Sequence, residues 1–386
     1  MSRRALIVGM GIGGMSAAIA LKKRGWTPVI VERASERRRG GYFIGLQNDG
    51  KQAAQALGVL DAMQKRTPRA RFWDIRRDGS RRQIADITNE TNAPIAVLRG
   101  DIEDALWQSV EGEVEVRFDT APSAIVDESD GARVKLVQGE KKGTPHETEE
   151  VFDLVIGADG VRSSVRKMVF GPDEGFFDYV GTVLCAFPLS RPLPGVEKSD
   201  GIIMSEVGRS LTVFPLADRP STALLSYRTD DINAQFSEPH LEVLRKKFSG
   251  FDNGGLLPQI LEDLAKTDDY LFDSVQMVKM SKWHKGHIVL LGDSAWCLTL
   301  YSGMGASAAL MGGQCLGEAL ANHPENVSDA LEEYSERMRP FVDKHQKMIS
   351  LRSQLFVPSS AFFLTFRRVL WKVLGWIRNR ELRKKG

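Results

Sequence analysis

The segment Asp153 to Arg166 reads DLVIGADGVRSSVR, and it restricts the fold more than any other part of the chain. An apolar strand ends at Asp159 and Gly160, and hydroxyl and guanidinium groups follow at the start of a helix. A glycine after a strand lets another group approach the backbone closely, and a helix N-terminus attracts anions. The segment therefore indicates a dinucleotide site, to which two further segments contribute.

The N-terminal segment carries a glycine-rich turn between a strand, residues 5–8, and a helix, residues 15–23. The glycines of its G-x-G-x-x-G spacing are Gly9, Gly11 and Gly14. The NH groups and dipole of the helix would hold a pyrophosphate. A second strand, residues 28–31, ends at Glu32, where a dinucleotide fold places its ribose-binding acid. Strand, spacing and acid together argue against an unrelated glycine-rich turn, but the motif does not separate NAD from FAD.

The third segment, residues 287–305, reads HIVLLGDSAWCLTLYSGMG. Four apolar residues predict a buried strand, and Asp293 after it suits a bond from a ribityl or ribose hydroxyl. An Ala-rich helix through Leu320 follows the turn Gly303-Met304-Gly305. NH groups at this helix N-terminus would face the flavin edge that gains negative charge on reduction. The alternative for these glycines is an ordinary turn before a core helix.

Together the three segments resemble those of the class A flavoprotein monooxygenases, the para-hydroxybenzoate-hydroxylase-like enzymes, over nearly the whole chain. The segments VERAS and VLRGDIEDAL also resemble family segments in which arginines meet FAD. The FAD-binding residues that the resemblance implies, besides the turn at 303–305, are Gly9, Gly11, Gly14, Glu32, Arg33, Arg99, Asp159, Gly160, Arg162 and Asp293. For Arg33 and Arg99 a solvated surface arginine is the alternative.

Within the family, the chain looks most similar to the tetracycline-inactivating branch. The features that suggest this are its short length, the segment GDSAWCLTLYSGMGAS and the segment EEYSERMRPFVDKHQ. Two positions depart from the family pattern, which usually has an aromatic residue or His at Trp296 and a Pro at Leu300. Without proline's fixed φ, the loop against the flavin is expected to be more mobile or differently placed. This departure keeps a flavoprotein reductase open as an alternative.

The resemblance implies an FAD-dependent monooxygenase that consumes NADPH or NADH and forms a flavin C4a-hydroperoxide. Its other partners would be molecular oxygen and a small aromatic or polycyclic substrate. No side chain is assigned as acid or base, and the candidates for lining the substrate pocket are Phe214, Tyr227, Arg228 and Trp296. Besides a reductase, the alternatives are a membrane-associated quinone-precursor hydroxylase and a protein that binds flavin or sequesters substrate without turnover.

The positions of the motifs predict an α/β fold with a Rossmann-like FAD-binding domain built from the discontinuous segments 1–70, 96–170 and 282–350. Segments 71–95 and 171–281 would form a substrate domain with a mixed β-sheet. Period-two runs at residues 211–214 and 223–227 predict strands of this sheet. Residues 351–386 would form a C-terminal amphipathic basic helix.

The composition fits a globular flavoenzyme and argues against a nucleic-acid-binding or metal-binding protein. With 386 residues, 42% hydrophobic and 26% charged, the chain has the profile of a globular protein, and its net charge of +2 indicates no nucleic-acid partner. Cys185, Cys297 and Cys315 lack metal-ligand spacing, so we expect no metal site, buried thiols and a cytoplasmic location. Oligomeric state stays open.

The C-terminal tail is basic and amphipathic. Residues 367–386 contain eight Lys or Arg and one acid, so this tail carries +7 and the remaining chain −5. The apolar residues that share one helical face are Phe362, Phe366, Val369, Leu370, Val373 and Ile377. Arg367 and Arg368 interrupt the apolar run, which excludes a membrane-spanning helix. Two interpretations remain: a helix on an anionic membrane surface, or a helix packed across the two domains.

Overall fold

A computed structural model describes residues 2–37, 41–66, 71–86, 94–139, 145–251 and 254–371. The strands are β1 (Arg4–Val8), β2 (Thr27–Glu32), β3 (Phe43–Leu46), β4 (Arg71–Ile75), β5 (Arg81–Asp86), β6 (Ile95–Leu98), β7 (Glu115–Phe118), β8 (Thr120–Glu128), β9 (Gly131–Gln138), β10 (His146–Phe152), β11 (Leu154–Gly157), β12 (Phe177–Pro188), β13 (Gly201–Glu206), β14 (Arg209–Phe214), β15 (Thr222–Arg228), β16 (Leu271–Val278), β17 (His284–Lys285) and β18 (Ile288–Leu290). The α-helices are α1 (Ile12–Lys22), α2 (Asn48–Leu57), α3 (Arg99–Val110), α4 (Ser164–Phe170), α5 (His240–Lys247), α6 (Leu257–Ala265), α7 (Asp293–Trp296), α8 (Thr299–Ser302), α9 (Gly305–Asn322), α10 (Val327–Lys347) and α11 (Ile349–Phe356), and residues 361–371 are helical as well.

The central sheet has the strand order β17-β18-β11-β1-β2-β7. Strand β1 is parallel to β2 and β11, and β11 is parallel to β18. Strands β11 and β18 are buried throughout, as expected for parallel strands whose apolar runs are covered on both faces. Because β1, β11 and β18 point the same way, the turns that follow them, at residues 9, 158 and 292, meet at one edge of the sheet.

Helices α1 and α9 pack against each other through small residues. A Cβ atom on Gly313 would lie 2.6 Å from the backbone nitrogen of Ala17, and one on Gly317 would lie 2.7 Å from the Cβ of Ala20. Glycine at these positions is therefore required by the close approach of two helix backbones. The contact fixes where the N-terminus of α9 lies relative to the glycine-rich turn before α1.

A second sheet has the strand order β16-β12-β15-β14-β13-β4-β5 and contains the two strands predicted from the period-two runs. Helices α5 and α6 cover its outer face, where their side chains share an apolar cluster with Val183, Leu225 and Tyr227. The inner face, which carries Leu184, Leu224 and Phe214, contacts Tyr301 and Val357 from the C-terminal third of the chain. The mixed α/β architecture predicted from the sequence is confirmed.

The strands of the central sheet lie within residues 4–32, 115–118, 154–157 and 284–290, and those of the second sheet within residues 71–86 and 177–278. Smaller sheets pair β10, β9 and β8, and β3 with β6. We keep the division into a cofactor domain and a substrate domain, at the boundaries given above, as a proposal.

The C-terminal segment continues through α10 and α11 into the helical residues 361–371. Across the ranges that the structure describes, no helix is long and apolar enough to cross a membrane. The predicted amphipathic helix extends beyond this point, and its positions Val373 and Ile377 lie outside the described residues.

Candidate active site

A cavity of about 510 Å³ opens at the edge of the central sheet, where the turns after β1 and β11 line it. The predicted residues Gly14, Asp293 and Gly303 to Gly305 do not line this cavity. It also borders the end of the second sheet, at residues 186–188 and 269–271. The predicted cofactor residues on its wall are Gly9, Gly11, Glu32, Arg33, Arg99, Asp159, Gly160 and Arg162. Separated parts of the chain thus converge on one cleft, of a size typical for small-molecule and cofactor sites.

The three glycines of the N-terminal turn have different structural tasks. Gly9 adopts φ +103°, and its NH donates to the carbonyl of Val31 over 2.8 Å. A Cβ on Gly14 would overlap the carbonyl oxygen of Gly9, so this glycine lets α1 pack against the turn. Gly11 has an ordinary extended backbone, and the nearest atom to a Cβ there is a guanidinium nitrogen of Arg99 at 3.8 Å. Gly11 therefore leaves room on the cavity side, where a ligand can approach the backbone.

Glu32 holds the turn together from the end of β2. Its carboxylate accepts hydrogen bonds from the NH of Met10 at 3.0 Å and from the NH of Ala34 at 2.9 Å. Each oxygen keeps a second lone pair, so Glu32 can still accept a ribose hydroxyl. Arg33 beside it is exposed at the cavity wall, which is compatible with both interpretations of this arginine.

Several ionisable groups lie around Arg99, which is on the wall of the cleft and 44% exposed. Arg99 donates from Nε to Glu103 over 3.0 Å. Burial raises the pKa of Glu103 and of Tyr42, although the positive charge of Arg99 lowers both. Asp293 is accessible yet surrounded by protein, so desolvation raises its pKa, while Arg99 and the thiol of Cys297 lower it. Both carboxyl groups therefore lie near the cation of Arg99, which favours their charged forms against the cost of desolvation.

The turn before α9 differs in detail from the sequence prediction. The NH of Gly303 donates to the carbonyl of Leu300 over 3.0 Å, and the NH of Met304 donates to Ser302 Oγ over 2.9 Å. In the part of the chain that the structure describes, the NH of Gly305 has no acceptor. Of the three predicted amides, only that of Gly305 is without an acceptor. In the described part of the chain the amides of Ala306 and Ser307, which the sequence pattern did not single out, have no acceptor either.

Asp159 stabilises the turn after β11. It accepts the NH of Ser164 over 2.7 Å and the NH of Val165 over 3.2 Å, so its carboxylate caps the N-terminus of α4. The hydroxyl of Ser163 donates to the same carboxylate. Gly160 adopts φ +84° with open space around it. The geometry favours a positioning role for Asp159, with the backbone at Gly160 facing the cleft.

Arg162 and Arg166, four residues apart, have opposite environments. Arg162 is 58% exposed and forms a two-point ion pair with Asp273 of β16, at 2.6 and 3.1 Å, which links this turn to the second sheet. Arg166 is fully buried and donates to the carbonyls of Ser294 over 2.9 Å and Val161 over 2.6 Å. It therefore fixes the turn after β18 against the turn after β11, a role that the sequence pattern did not reveal.

Two of the predicted substrate-lining residues are not on the inner face of the second sheet. Tyr227 faces α5 and α6, where its hydroxyl donates to Gln235 over 3.0 Å. Trp296 is 1% exposed and packs against Trp283 and Tyr334 in the hydrophobic core beside the central sheet. The third candidate, Arg228, lies near Tyr301, but its Nε donates to the carbonyl of Val357 over 2.7 Å.

The fourth candidate, Phe214, is on the inner face and stacks on Phe43, with ring centroids 4.7 Å apart. The same face holds the buried hydroxyls of Thr182, Ser226 and Tyr301. Among the described residues none of the three makes a well-directed hydrogen bond, although burial raises the pKa of Tyr301 and the two neighbouring hydroxyls lower it. Buried hydroxyls without partners indicate a place for a polar atom of a ligand or for water.

We expect Asp293→Asn to weaken FAD binding by about tenfold to a hundredfold, the value of one charged hydrogen bond of about 1.5–3 kcal/mol. The apoprotein should not lose stability. Because the folded-state pKa of Asp293 is raised, its contribution to stability is present below the unfolded pKa and lost as pH rises through the folded pKa. At pH 7 the neutral amide should therefore melt at the same temperature as the wild type or higher. FAD titration and apoprotein melting curves at pH 5 and 7 would check this, and a lower melting temperature at pH 7 would contradict it.

Comparisons with known proteins agree with this arrangement. A family model described as FAD binding domain matches residues 3–348. The FAD-dependent monooxygenase asL4 of Sarocladium schorii is 26% identical, over 97% of this chain and 93% of its own. A flavin-dependent monooxygenase of Legionella longbeachae is 27% identical, over 89% of this chain and 86% of its own.

Solved structures agree as well. The tetracycline destructase Tet(51) is 25% identical, with 96% of each chain covered and a TM-score of 0.78. Klebsiella pneumoniae HpxO, complexed with FAD and uric acid, is 21% identical, with 96% of this chain and 93% of its own covered and a TM-score of 0.72, a similarity that shows the fold alone.

Proposed function

Because this chain belongs to the class A flavoprotein monooxygenases, we propose that it oxidises NADPH or NADH and inserts one oxygen atom into a small aromatic or polycyclic molecule. It is an FAD-dependent enzyme of the aromatic-hydroxylase kind. The observation that carries the finer proposal is the cleft lined by the turns after β1 and β11 and bordered by the second sheet. The inner face of that sheet carries aromatic side chains and buried hydroxyls.

The residues of the cleft fit FAD. The open side of Gly11 and the N-terminus of α1 suit the pyrophosphate, Glu32 suits a ribose hydroxyl, and Asp293 suits the ribityl chain. The free NH of Gly305 at the start of α9 suits a site of negative charge. When bound, FAD would take electrons from the nicotinamide cofactor and activate oxygen.

The chain's own residues position the reactants and exclude water. Arg166 and Asp159 hold the turns that form the floor of the cleft, and Arg162 with Asp273 ties the floor to the second sheet. The apolar inner face of that sheet would keep water from the reacting atoms. No side chain in the cleft is assigned as an acid or base.

An aromatic substrate with a polar substituent fits the inner face best. The stacked pair Phe214 and Phe43 offers a flat apolar surface, and the hydroxyls around Tyr301 offer donors and acceptors. The name of the relative Tet(51), a tetracycline destructase, supports a polycyclic molecule.

The test is a mass-spectrometric screen of phenolic, polyketide and quinone compounds with the purified yellow protein and NADPH or NADH. We expect one class of compound to accelerate nicotinamide oxidation and to gain one oxygen atom. A reductase would consume the nicotinamide and give a product without added oxygen. A protein that binds FAD but consumes no oxygen with any compound would favour flavin binding or sequestration without turnover.

A further inference from the structure

The helical residues 361–371 expose their apolar face and bury a charge. Phe362 is 71% exposed, Phe366 41% and Val369 50%, whereas Arg367 is fully buried. A surface helix that only covers a core shows the opposite distribution, with its apolar stripe inward. This outward apolar face therefore needs an explanation other than packing within the chain.

The orientation is fixed by the contacts of Arg367. Its guanidinium donates to Ser205 Oγ over 2.6 Å and to the carbonyl of Leu355 over 3.1 Å, and lies 3.4 Å from a carboxylate oxygen of Asp74. It also lies 4.2 Å from the ring centre of Trp371. Turning the helix over would leave Asp74 buried without its cation, which is strongly unfavourable.

A basic groove of about 560 Å³ lies beside this helix. Its wall includes Arg77, Lys247 and Arg368, together with Arg209, whose charge is paired with that of Glu206 at 2.7 Å. Val207, on the same wall, is 47% exposed. The groove thus combines an excess of positive charge with apolar surface on the flank of the helix formed by Leu364 and Arg368.

The sign of the charge identifies the kind of partner. Residues 372–386, which follow the helix, contain six Lys or Arg and one acid, so they add positive charge and cannot neutralise the groove. A second copy of this chain would bring the same basic tail and groove to the contact. A complementary surface must be anionic and must also accept aromatic rings.

We propose that this face docks on an anionic phospholipid surface. The rings of Phe362 and Phe366 enter the interface between headgroups and acyl chains, and the cations of the groove on the flank of the helix meet headgroup phosphates. The active-site cavity is lined by other residues, so docking goes beyond the proposed hydroxylation and does not depend on it.

Flotation of the full-length, FAD-loaded protein with lipid vesicles tests the proposal. We expect the protein to float with phosphatidylcholine vesicles that contain phosphatidylglycerol and to stay largely in solution with phosphatidylcholine alone. Phe362→Ser with Phe366→Ser, and separately Arg77→Glu with Arg368→Glu, should each lower the partition coefficient at least about tenfold. Salt should weaken binding of the wild type.

The matched control is Lys282→Glu with Lys285→Glu, which reverses two exposed charges that precede strand β18 of the central sheet. This control should float like the wild type. For every variant, FAD content and nicotinamide oxidation are also measured in solution. Unchanged values show that a variant has lost docking and has neither misfolded nor lost catalysis. Wild-type protein that stays in solution with anionic vesicles would overturn the proposal. So would a wild-type dimer that the phenylalanine variants dissociate, because the face would then be an interface between copies.

Discussion

Gly11→Val should yield a folded protein without FAD, whereas Gly14→Ala should fail to fold stably. A Cβ at position 11 meets only a guanidinium nitrogen of Arg99, in ordinary van der Waals contact at 3.8 Å, and the extended backbone there tolerates valine. It would separate a pyrophosphate from the NH groups of the turn, and losing two charged hydrogen bonds of about 1.5–3 kcal/mol each weakens FAD binding at least about a hundredfold.

At position 14 the added methyl would overlap the carbonyl of Gly9 within the fold itself. To remove this overlap, α1 would have to move away from the sheet. We therefore expect the free energy of unfolding to fall by about 3 kcal/mol or more. Gly175→Ala is the matched control, because a Cβ there meets nothing within 4 Å and φ is not positive. Urea unfolding of the apoproteins and FAD titration measure both effects. A Gly11→Val protein that retains FAD would show that this turn does not bind the pyrophosphate.

Arg166→Ala should destabilise the protein by about 3–5 kcal/mol, the cost of removing one partner from a buried charged network. The change would leave the Ser294 and Val161 carbonyls without their donor and the Asp173 carboxylate with Lys167 as its remaining cation. FAD content should fall with it, because the turns after β11 and β18 would no longer be held together.

The neighbouring Lys167 provides the control, since it also pairs with Asp173, at 2.8 Å, but is 53% exposed. Lys167→Ala should cost less than about 1 kcal/mol, because exposed ion pairs contribute little. Thermal melting of both variants with and without added FAD gives the comparison. Equal melting temperatures for the two variants would show that Arg166 is not the link between the turns.

Features that depend on local pattern could be predicted from the sequence. The strands β1, β2, β11, β14 and β15 and the turns between strand and helix follow from apolar runs and glycine spacing. The convergence of the three motifs also follows, because parallel strands bring their carboxyl ends to one edge of a sheet. The family-level description as an FAD-dependent monooxygenase is confirmed by the family model that matches residues 3–348.

Features that depend on distant partners could not be predicted. Alternation places Tyr227 and Arg228 on opposite faces of β15, but both faces are covered, so the sequence does not say which one meets the cavity. Trp296 belongs to the core because Trp283 and Tyr334 pack around it. Arg367 is buried because Asp74, far away in sequence, lies opposite.

The position of β11 in the central sheet has a consequence for biosynthesis. This strand lies between β1, at the start of the chain, and β18, which ends at Leu290. The ribosome must therefore release about three quarters of the polypeptide before the sheet can close, and long-range strand pairing of this kind is slow. Cofactor capture is then a late event, and cells short of riboflavin are expected to accumulate full-length apoprotein that can be loaded afterwards.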